Sequence, residues 1–395
     1  MARKRKNHYG EGSVYEYPKG SGRWFAALPD GHGKVTARRA TSREAAETIR
    51  SELLKQRDDG LDTKAAGQTL AVFVNSWWDK AIRPKNLAPK TVEDYRDTIT
   101  GYLLPDWGKH RLYEFDAPLI LDISLRLTEE RGEAVALHAL AKLSMILNAA
   151  IRWRILSRNA VADARPDLPK AKHQAAIPLT IEQSWRLLGV VAGLRSALLY
   201  RLALLYGMRI GELLGLQWGD IDWKERTIAV RRQTQEVDGK KQSKDGTKRA
   251  DGGRVLPLTK GVEEGLRMLL DKRGFCPYIF PSDHETSWAP SNFERHWRGG
   301  WGGKLNKKGE RIVVVGVRNK AGLKGYKFHW LRHTCSTSLM ELGCPEEVRA
   351  GILGHGKRNV TQHYSHARLN AMRVWLETWD AELLRGAEDR AQTGT

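Results

Sequence analysis

The spacing of hydrophobic positions changes twice along the chain. From Ser13 to Arg39 apolar and polar residues alternate, as in Ser13-Val-Tyr-Glu-Tyr17 and Arg23–Leu28, with turn chemistry at 18–22 and Asp30-Gly31. Three strands are expected there (13–17, 23–28 and about 34–39), then a helix over 43–55 that Thr41 or Ser42 can cap. The core of such a module is thin, which suits binding better than catalysis. From Thr69 to Asp163 the period becomes helical. Leu70, Phe73, Val74, Trp77 and Trp78 share a face, further helices start near Thr91 and Pro118, and 134–156 is a long helix or helix pair. Trp77, Trp78 and Trp153 read as core residues. Three prolines (Pro166, Pro169 and Pro178) then mark a linker.

The third block, Leu179 to Gly386, mixes both periods. Helices are expected to surround a small hairpin sheet with strands at 227–235 and 254–258 and a turn at Asp238-Gly239. The stretch Gly299–Gly325, rich in Gly and Lys, reads as an exposed insertion around a Val-rich strand at 312–317. Met372, Trp375, Leu376, Trp379 and Leu383 recur at helical spacing; they can cover the chain's own core or dock on a neighbouring protomer. The expected fold class is multidomain: a sheet-plus-helix module over 1–60, an all-α domain over 69–163, a linker over 164–178, a mostly α domain with a small antiparallel sheet over 179–386, and a tail over 387–395.

Composition adds a partner. Lys and Arg total 66 against 46 Asp and Glu, a formal charge of +20 in 395 residues, which favours a polyanion. By itself this fits DNA enzymology, an RNA-associated protein or a solvated basic surface equally. Cys276, Cys335 and Cys344 form no CxxC pair and are odd in number, so neither a disulfide framework nor a zinc ribbon is expected, and a reducing cytoplasm fits. No uninterrupted apolar run is long enough to span a bilayer. Arg3, Lys4, Arg5 and Lys6 are not followed by an apolar stretch, so the start is read as a basic arm or tail and not a signal peptide.

Six positions in the third block carry side chains suited to phosphate chemistry. Arg209 follows the apolar run Arg195–Tyr206 that Gly207 stops, and Glu212 lies three residues on, where its carboxylate can orient the guanidinium. A guanidinium offers phosphate two parallel charge-assisted bonds. Alone, the pair is equally an ordinary surface ion pair. His329-Trp-Leu-Arg332 puts His329 and Arg332 on one face of another helix; alone, it reads as a core histidine beside a structural arginine. His329 and His333 have a metal-like spacing, but Trp330 stands where an H-E-x-x-H zinc site has Glu, so no metal is expected. His355 follows the helix end at Leu353-Gly354, and Tyr364 lies nine positions later between His363 and Ser365-His366. Lys248 sits between two expected strands, with Lys240, Lys241 and Lys244 as alternatives nearby.

Together these segments resemble the tyrosine recombinase (phage integrase) family. Tyr206-Gly-Met-Arg209-Ile-Gly-Glu212 is similar to its first arginine box, His329-Trp-Leu-Arg332-His333-Thr334 to its His-x-x-Arg box, and Leu353-Gly354-His355 with His363-Tyr364-Ser365-His366 to its last. Lys248, nine residues before Pro257, matches the family's hairpin lysine. The catalytic resemblance covers 179–382. The helical block resembles the core-site DNA-binding domain by position and helical pattern, and the first block resembles an arm-site-binding domain by arrangement. The departure is the insertion before His329.

The resemblance implies a chemistry. Arg209 and Arg332 would hold the scissile phosphate, with Glu212 supporting Arg209. His329 and His355 would add hydrogen bonds, and His329 would help deprotonate Tyr364. Tyr364 would form a 3′-phosphotyrosine link, and Lys248 would protonate the leaving 5′-oxygen. No metal, ATP or other cofactor is implied. The implied partners are double-stranded DNA with core-type and arm-type sites, three further protomers in a tetramer, an excisionase or other directionality factor and a host DNA-bending protein, with no membrane, in the cytoplasm and nucleoid of a bacterial host. The Pro-rich stretch 158–178 that contains the linker, fully extended over about 20 residues, would reach more than about 60 Å, enough to pass around a duplex. The rival readings are a Xer-like resolvase or type IB-like topoisomerase, and a catalytically silent DNA-binding protein. The extra N-terminal block favours the integrase of a phage or integrative element.

Overall fold

The computed structural model describes residues 11–29, 35–170, 175–245, 253–272, 275–305, 311–354 and 366–393. The chain divides into two compact units, Met1–His173 and Gln174–Thr395.

The first unit opens with an antiparallel sheet in the order β1 (Ser13–Glu16), β2 (Trp24–Pro29), β3 (Val35–Ala40), followed by α1 (Arg43–Asp58). Ser42 caps α1 by accepting a hydrogen bond from the Ala45 amide at 3.1 Å. Ala26, Ala40 and Ala46 line the sheet–helix contact with Val14, Trp24 and Ile49, and the small side chains let the helix sit close. Alternation sends the next residues to the other face. Tyr15 pairs with Phe25 and Phe25 with Arg39, and the two rings stack at 5.7 Å.

The rest of this unit is helical: α2 (Leu70–Trp77), α3 (Pro89–Thr98), α4 (Leu104–Trp107), α5 (Ala117–Arg131), α6 (Glu133–Arg152) and α7 (Ala160–Ala164). Trp77 is fully buried, and Trp78 and Trp153 pack against the same core. α6 is long and apolar enough to cross a membrane, yet Leu140, Leu143, Ile146 and Leu147 are buried in this bundle, so it serves as a core helix. The linker starts later than the proline count suggests. The Asn159 side chain accepts from the Val161 amide and donates to the Ser144 carbonyl, pinning α7 to α6. Ala164 is fully buried and Leu168 packs on the same core, so 164–168 belong to the helical unit.

The second unit is mostly helical: α8 (Ile181–Val191), α9 (Ala197–Tyr206), α10 (Ile210–Gly215), α11 (Lys260–Asp271), α12 (Pro290–Arg298), α13 (Val317–Lys320), α14 (Trp330–Glu341), α15 (Glu346–Leu353) and α16 (His366–Thr393). The single strand expected over 227–235 is two strands. β4 (Ile221–Asp222), β5 (Thr227–Val230) and β8 (Arg254–Pro257) form one antiparallel sheet, and among the described residues β6 (Arg232–Val237) pairs with β7 (Lys240–Asp245) in a separate one. The break falls at the exposed Arg231. Asp238 and Gly239 both have positive φ, as a two-residue hairpin turn requires.

The insertion is only partly an insertion. β9 (Gly299–Leu305) and β10 (Arg311–Val315) form a hairpin, but Val317 starts α13 and does not end a strand. Val317, Ala321, Leu323 and Tyr326 are buried, so 317–326 is anchored in the core by these four side chains. Gly316 permits the change of direction: a Cβ there would come within 2.2 Å of the Gly299 nitrogen.

The C-terminal helix covers its own domain. Met372, Leu376, Trp379 and Leu383 are buried in the main core, and α16 runs on to Thr393, through the segment expected to be a tail. Trp379 Nε1 donates to the Leu204 carbonyl and Trp185 Nε1 to the Glu382 carbonyl. Asp380 is buried and takes a bidentate pair from Arg201 at 2.7 and 2.8 Å, plus the Thr259 hydroxyl.

Candidate active site

Arg332 lies in the first turn of α14, where the positive end of the helix disfavours a cation. Two carbonyls offset this. Nη1 donates to Gly207 O at 2.7 Å and Nη2 to Leu353 O, so the guanidinium joins the C-terminal ends of α9 and α15. Each of those helices is stopped by a left-handed glycine, Gly207 and Gly354. Arg332 is buried, and burial together with the charges of Arg209 and Arg254 lowers its pKa to about 10. It remains charged at neutral pH, and the charge is poorly compensated.

Arg209 is the N-cap residue of α10 and Glu212 sits one turn on. Glu212 accepts from the Arg209 amide at 3.0 Å and from Arg209 Nη1 at 2.9 Å. The expected orienting contact is therefore present, and the Arg209 side chain stays 38% exposed. Sequence reasoning missed a third guanidinium. Arg254, first residue of β8 and buried, donates to Glu212 Oε1 at 3.3 Å and to Oε2 at 3.0 Å. Burial works to raise the Glu212 carboxyl, but the charge and hydrogen bonds of Arg254 and the Arg209 contacts outweigh it and hold the pKa at about 2. The only hint in the sequence is a charged residue at the head of the apolar run Val255-Leu-Pro-Leu258.

His329 is the N-cap residue of α14 and is exposed on one side. Desolvation of the remainder, then Arg332, His333 and Arg209, push its pKa below the ordinary value, so the imidazole is neutral at pH 7. The rings of His329 and His333 meet edge-on with centroids 5.8 Å apart. Among the described residues no group of three or more His, Cys, Asp or Glu could hold a metal ion.

The structure thus brings Arg209, Glu212, His329 and Arg332 into one electrostatic cluster with Arg254. Lys248, His355 and Tyr364 lie outside the described residues. Their described flanks are Asp245 and Gly253, Gly354, and His366. Three guanidiniums face one carboxylate, and an excess of positive charge with exposed donors at Arg209 suits a phosphate.

Residues 179–370, which make up most of the second unit, match the model of the phage integrase family. A relative named tyrosine recombinase XerC-like, from Caldanaerobacter subterraneus subsp. tengcongensis, is 24% identical over 362 residues, covering 85% of this chain and 90% of its own. Two solved structures share the fold. One is the Tn1549 transposon integrase in complex with transposon right-end DNA, with a TM-score of 0.59 and 18% identity over 79% of this chain and 99% of that one. The other is a lambda integrase tetramer bound to a Holliday junction, with a TM-score of 0.51 and 16% identity over 91% of this chain and 97% of that one.

Proposed function

We propose that this protein is a site-specific integrase that inserts a phage or mobile element into DNA and, with a directionality factor, excises it. The observation that carries the reading is the cluster of Arg209, Arg254 and Arg332 around the single carboxylate of Glu212. Arg209 and Arg332 bind the nonbridging oxygens of the scissile phosphate, whose negative charge grows in the transition state. The Tyr364 hydroxyl gives up its proton, with His329 as acceptor, and its oxygen attacks phosphorus. The bond to the 5′-oxygen breaks, Lys248 supplies that oxygen's proton, and His355 hydrogen-bonds the phosphate. The product is a 3′-phosphotyrosine and a free 5′-hydroxyl. A 5′-hydroxyl from a partner duplex then reverses the sequence, so the bond energy stays in the phosphotyrosine.

In this reading residues 1–60 bind arm-type sites, 69–163 bind core-type sites and 179–386 catalyse. The row of exposed Tyr15, half-buried Phe25 and exposed Arg39 supports a DNA-facing sheet, since it sets an aromatic stack beside a cation. Four protomers assemble on two duplexes in a bacterial cell, helped by a DNA-bending protein of the host. The XerC-like relative favours a second reading, a resolvase. Deleting residues 1–60 separates the two: an integrase loses integration but keeps core-site cleavage, whereas recombination unaffected by the deletion favours the resolvase. The decisive test is covalent trapping on a nicked suicide substrate, followed by sequencing of the trapped DNA. Wild type is expected to give a denaturation-resistant adduct and Tyr364→Phe none; an adduct from the phenylalanine variant refutes the nucleophile.

A further inference from the structure

Arg254 is the one buried guanidinium in the cluster that the chemistry above does not use. It reaches Glu212 from a strand 42 residues away and bonds both carboxylate oxygens. Its Nε is buried with no protein partner among the described residues, so that carboxylate is its polar anchor. Its other side packs on the end of α15: a Cβ at Gly354 would lie 3.1 Å from Arg254 Nη1 and 3.3 Å from Cδ. Behind it, β8 is held to α9 by the Tyr206 hydroxyl, which donates to the Pro257 carbonyl at 2.9 Å. Three pieces of chain therefore meet on one side chain. They are the N-terminus of α10 with Arg209, the start of β8 just after the stretch that contains Lys248, and the residue before His355.

We propose that Arg254 is a positioning residue for strand cleavage: by bridging both oxygens of Glu212 and packing on Gly354, it holds Arg209 and the flanks of Lys248 and His355 in one frame. The proposal rests on the recombinase reading. Arg254 does not touch the phosphate; it acts through Glu212. Charge reinforces the geometry. With Arg254 present the carboxylate is shared between two cations, so Arg209 is not neutralised by a carboxylate of its own. Without it, Glu212 turns its full charge on Arg209, and each of its buried oxygens loses one of two donors.

The test is single-turnover cleavage of a suicide substrate at saturating DNA, with DNA affinity and thermal unfolding measured in parallel on the full chain. Arg254→Met is expected to slow cleavage by about 30- to 300-fold, the range for losing a hydrogen-bonded charge partner, while Kd changes by less than about threefold. Arg254→Lys keeps the charge but not the two-oxygen bridge, and is expected to recover part of the rate. A pH profile separates positioning from loss of fold. Glu212 is faced by Arg209 from α10, Arg254 from β8, Arg332 from α14 and more weakly by His329; removing Arg254 raises its carboxyl, so the acid limb of cleavage moves to higher pH in Arg254→Met. A double-mutant cycle gives the link: in a Glu212→Gln background Arg254→Met should cost several-fold less than in wild type.

Should Arg254→Met fail to fold, Arg254→Lys and the paired Glu212→Gln/Arg254→Met variant carry the test. Arg254 variants that cleave within about twofold of wild type, or costs that simply add in the cycle, overturn the proposal. If wild type itself traps no DNA, the recombinase reading fails and takes the proposal with it.

Discussion

Replacing Gly207 with alanine tests how Arg332 is held. Gly207 has φ +57°, a left-handed conformation that costs an L-residue about 1–2 kcal/mol. The new Cβ would lie 2.5 Å from Leu353 Cδ2, 3.3 Å from Arg332 Cγ and 3.3 Å from Cys335 Sγ. All three residues are buried, so relief by moving Leu353 disturbs a packed core, at about 1–3 kcal/mol. The sum is a loss of about 2–5 kcal/mol, measurable by urea denaturation of the second unit followed by tryptophan fluorescence. The catalytic consequence follows from the same contacts. Gly207 O and Leu353 O are the two carbonyls that hold Arg332, and the alanine stands at the first and pushes on the second residue and on Arg332 itself. A displacement of this kind should slow cleavage by about 10- to 100-fold at saturating DNA. A variant that loses less than about 0.5 kcal/mol and cleaves within twofold of wild type would show that the glycine is not needed and that Arg332 is held by other means.

Three further outcomes are expected. Asp380→Asn breaks a buried pair with Arg201 and should cost about 3–5 kcal/mol in the same denaturation assay, whereas a loss under 1 kcal/mol would mean that α16 is held by its apolar face alone. The depressed Glu212 carboxyl stabilises the fold above its ordinary pKa of about 4.5, and that contribution, about 3 kcal/mol, is lost as pH falls toward 2; Glu212→Gln should flatten the stability–pH curve over this window, and an unchanged slope would refute the assignment. His329 should titrate by NMR below its ordinary 6.5, so its neutral form stabilises the fold above that pH and stability falls as pH drops below it; a midpoint above 6.5 would place a carboxylate, not cations, beside the ring.

How far the sequence could be read depends on how local each feature is. The first sheet and α1 were legible because alternation, turn residues and a serine cap act within a few positions, and Ser42 does cap α1. Gly207 was legible as a helix stop for the same reason. Arg209, Glu212, His329 and Arg332 could be named by family resemblance, and the local spacing of Arg209 and Glu212 explains their contact. Arg254 was not legible, since its partner lies 42 residues away and pairs through a sheet-to-helix contact that no local pattern encodes. The run Val313–Val317 misled because β-branched residues favour strands, while the helix start at Val317 depends on Gly316 passing close to the backbone of Arg298 and Gly299. Whether the last helix covers its own core or a neighbour's could not be read from apolar spacing; the buried bond from Arg201 to Asp380, 179 positions apart, answers it for this chain.

That same long-range clamp bears on the order in which the enzyme becomes active during synthesis. Trp185, Arg201 and Leu204, all near the start of the second unit, find their partners only in α16, at separations of 197, 179 and 175 residues. Contacts of such separation form late and slowly, because the loop they close must be ordered first. A nascent chain that has already made Arg209 and Arg332 therefore still lacks α16, which begins at His366. The cationic cluster precedes the clamp in the chain, and the clamp closes only when α16 has been made and docked. On the reading proposed above, strand cutting is in this way withheld from the unfinished polypeptide.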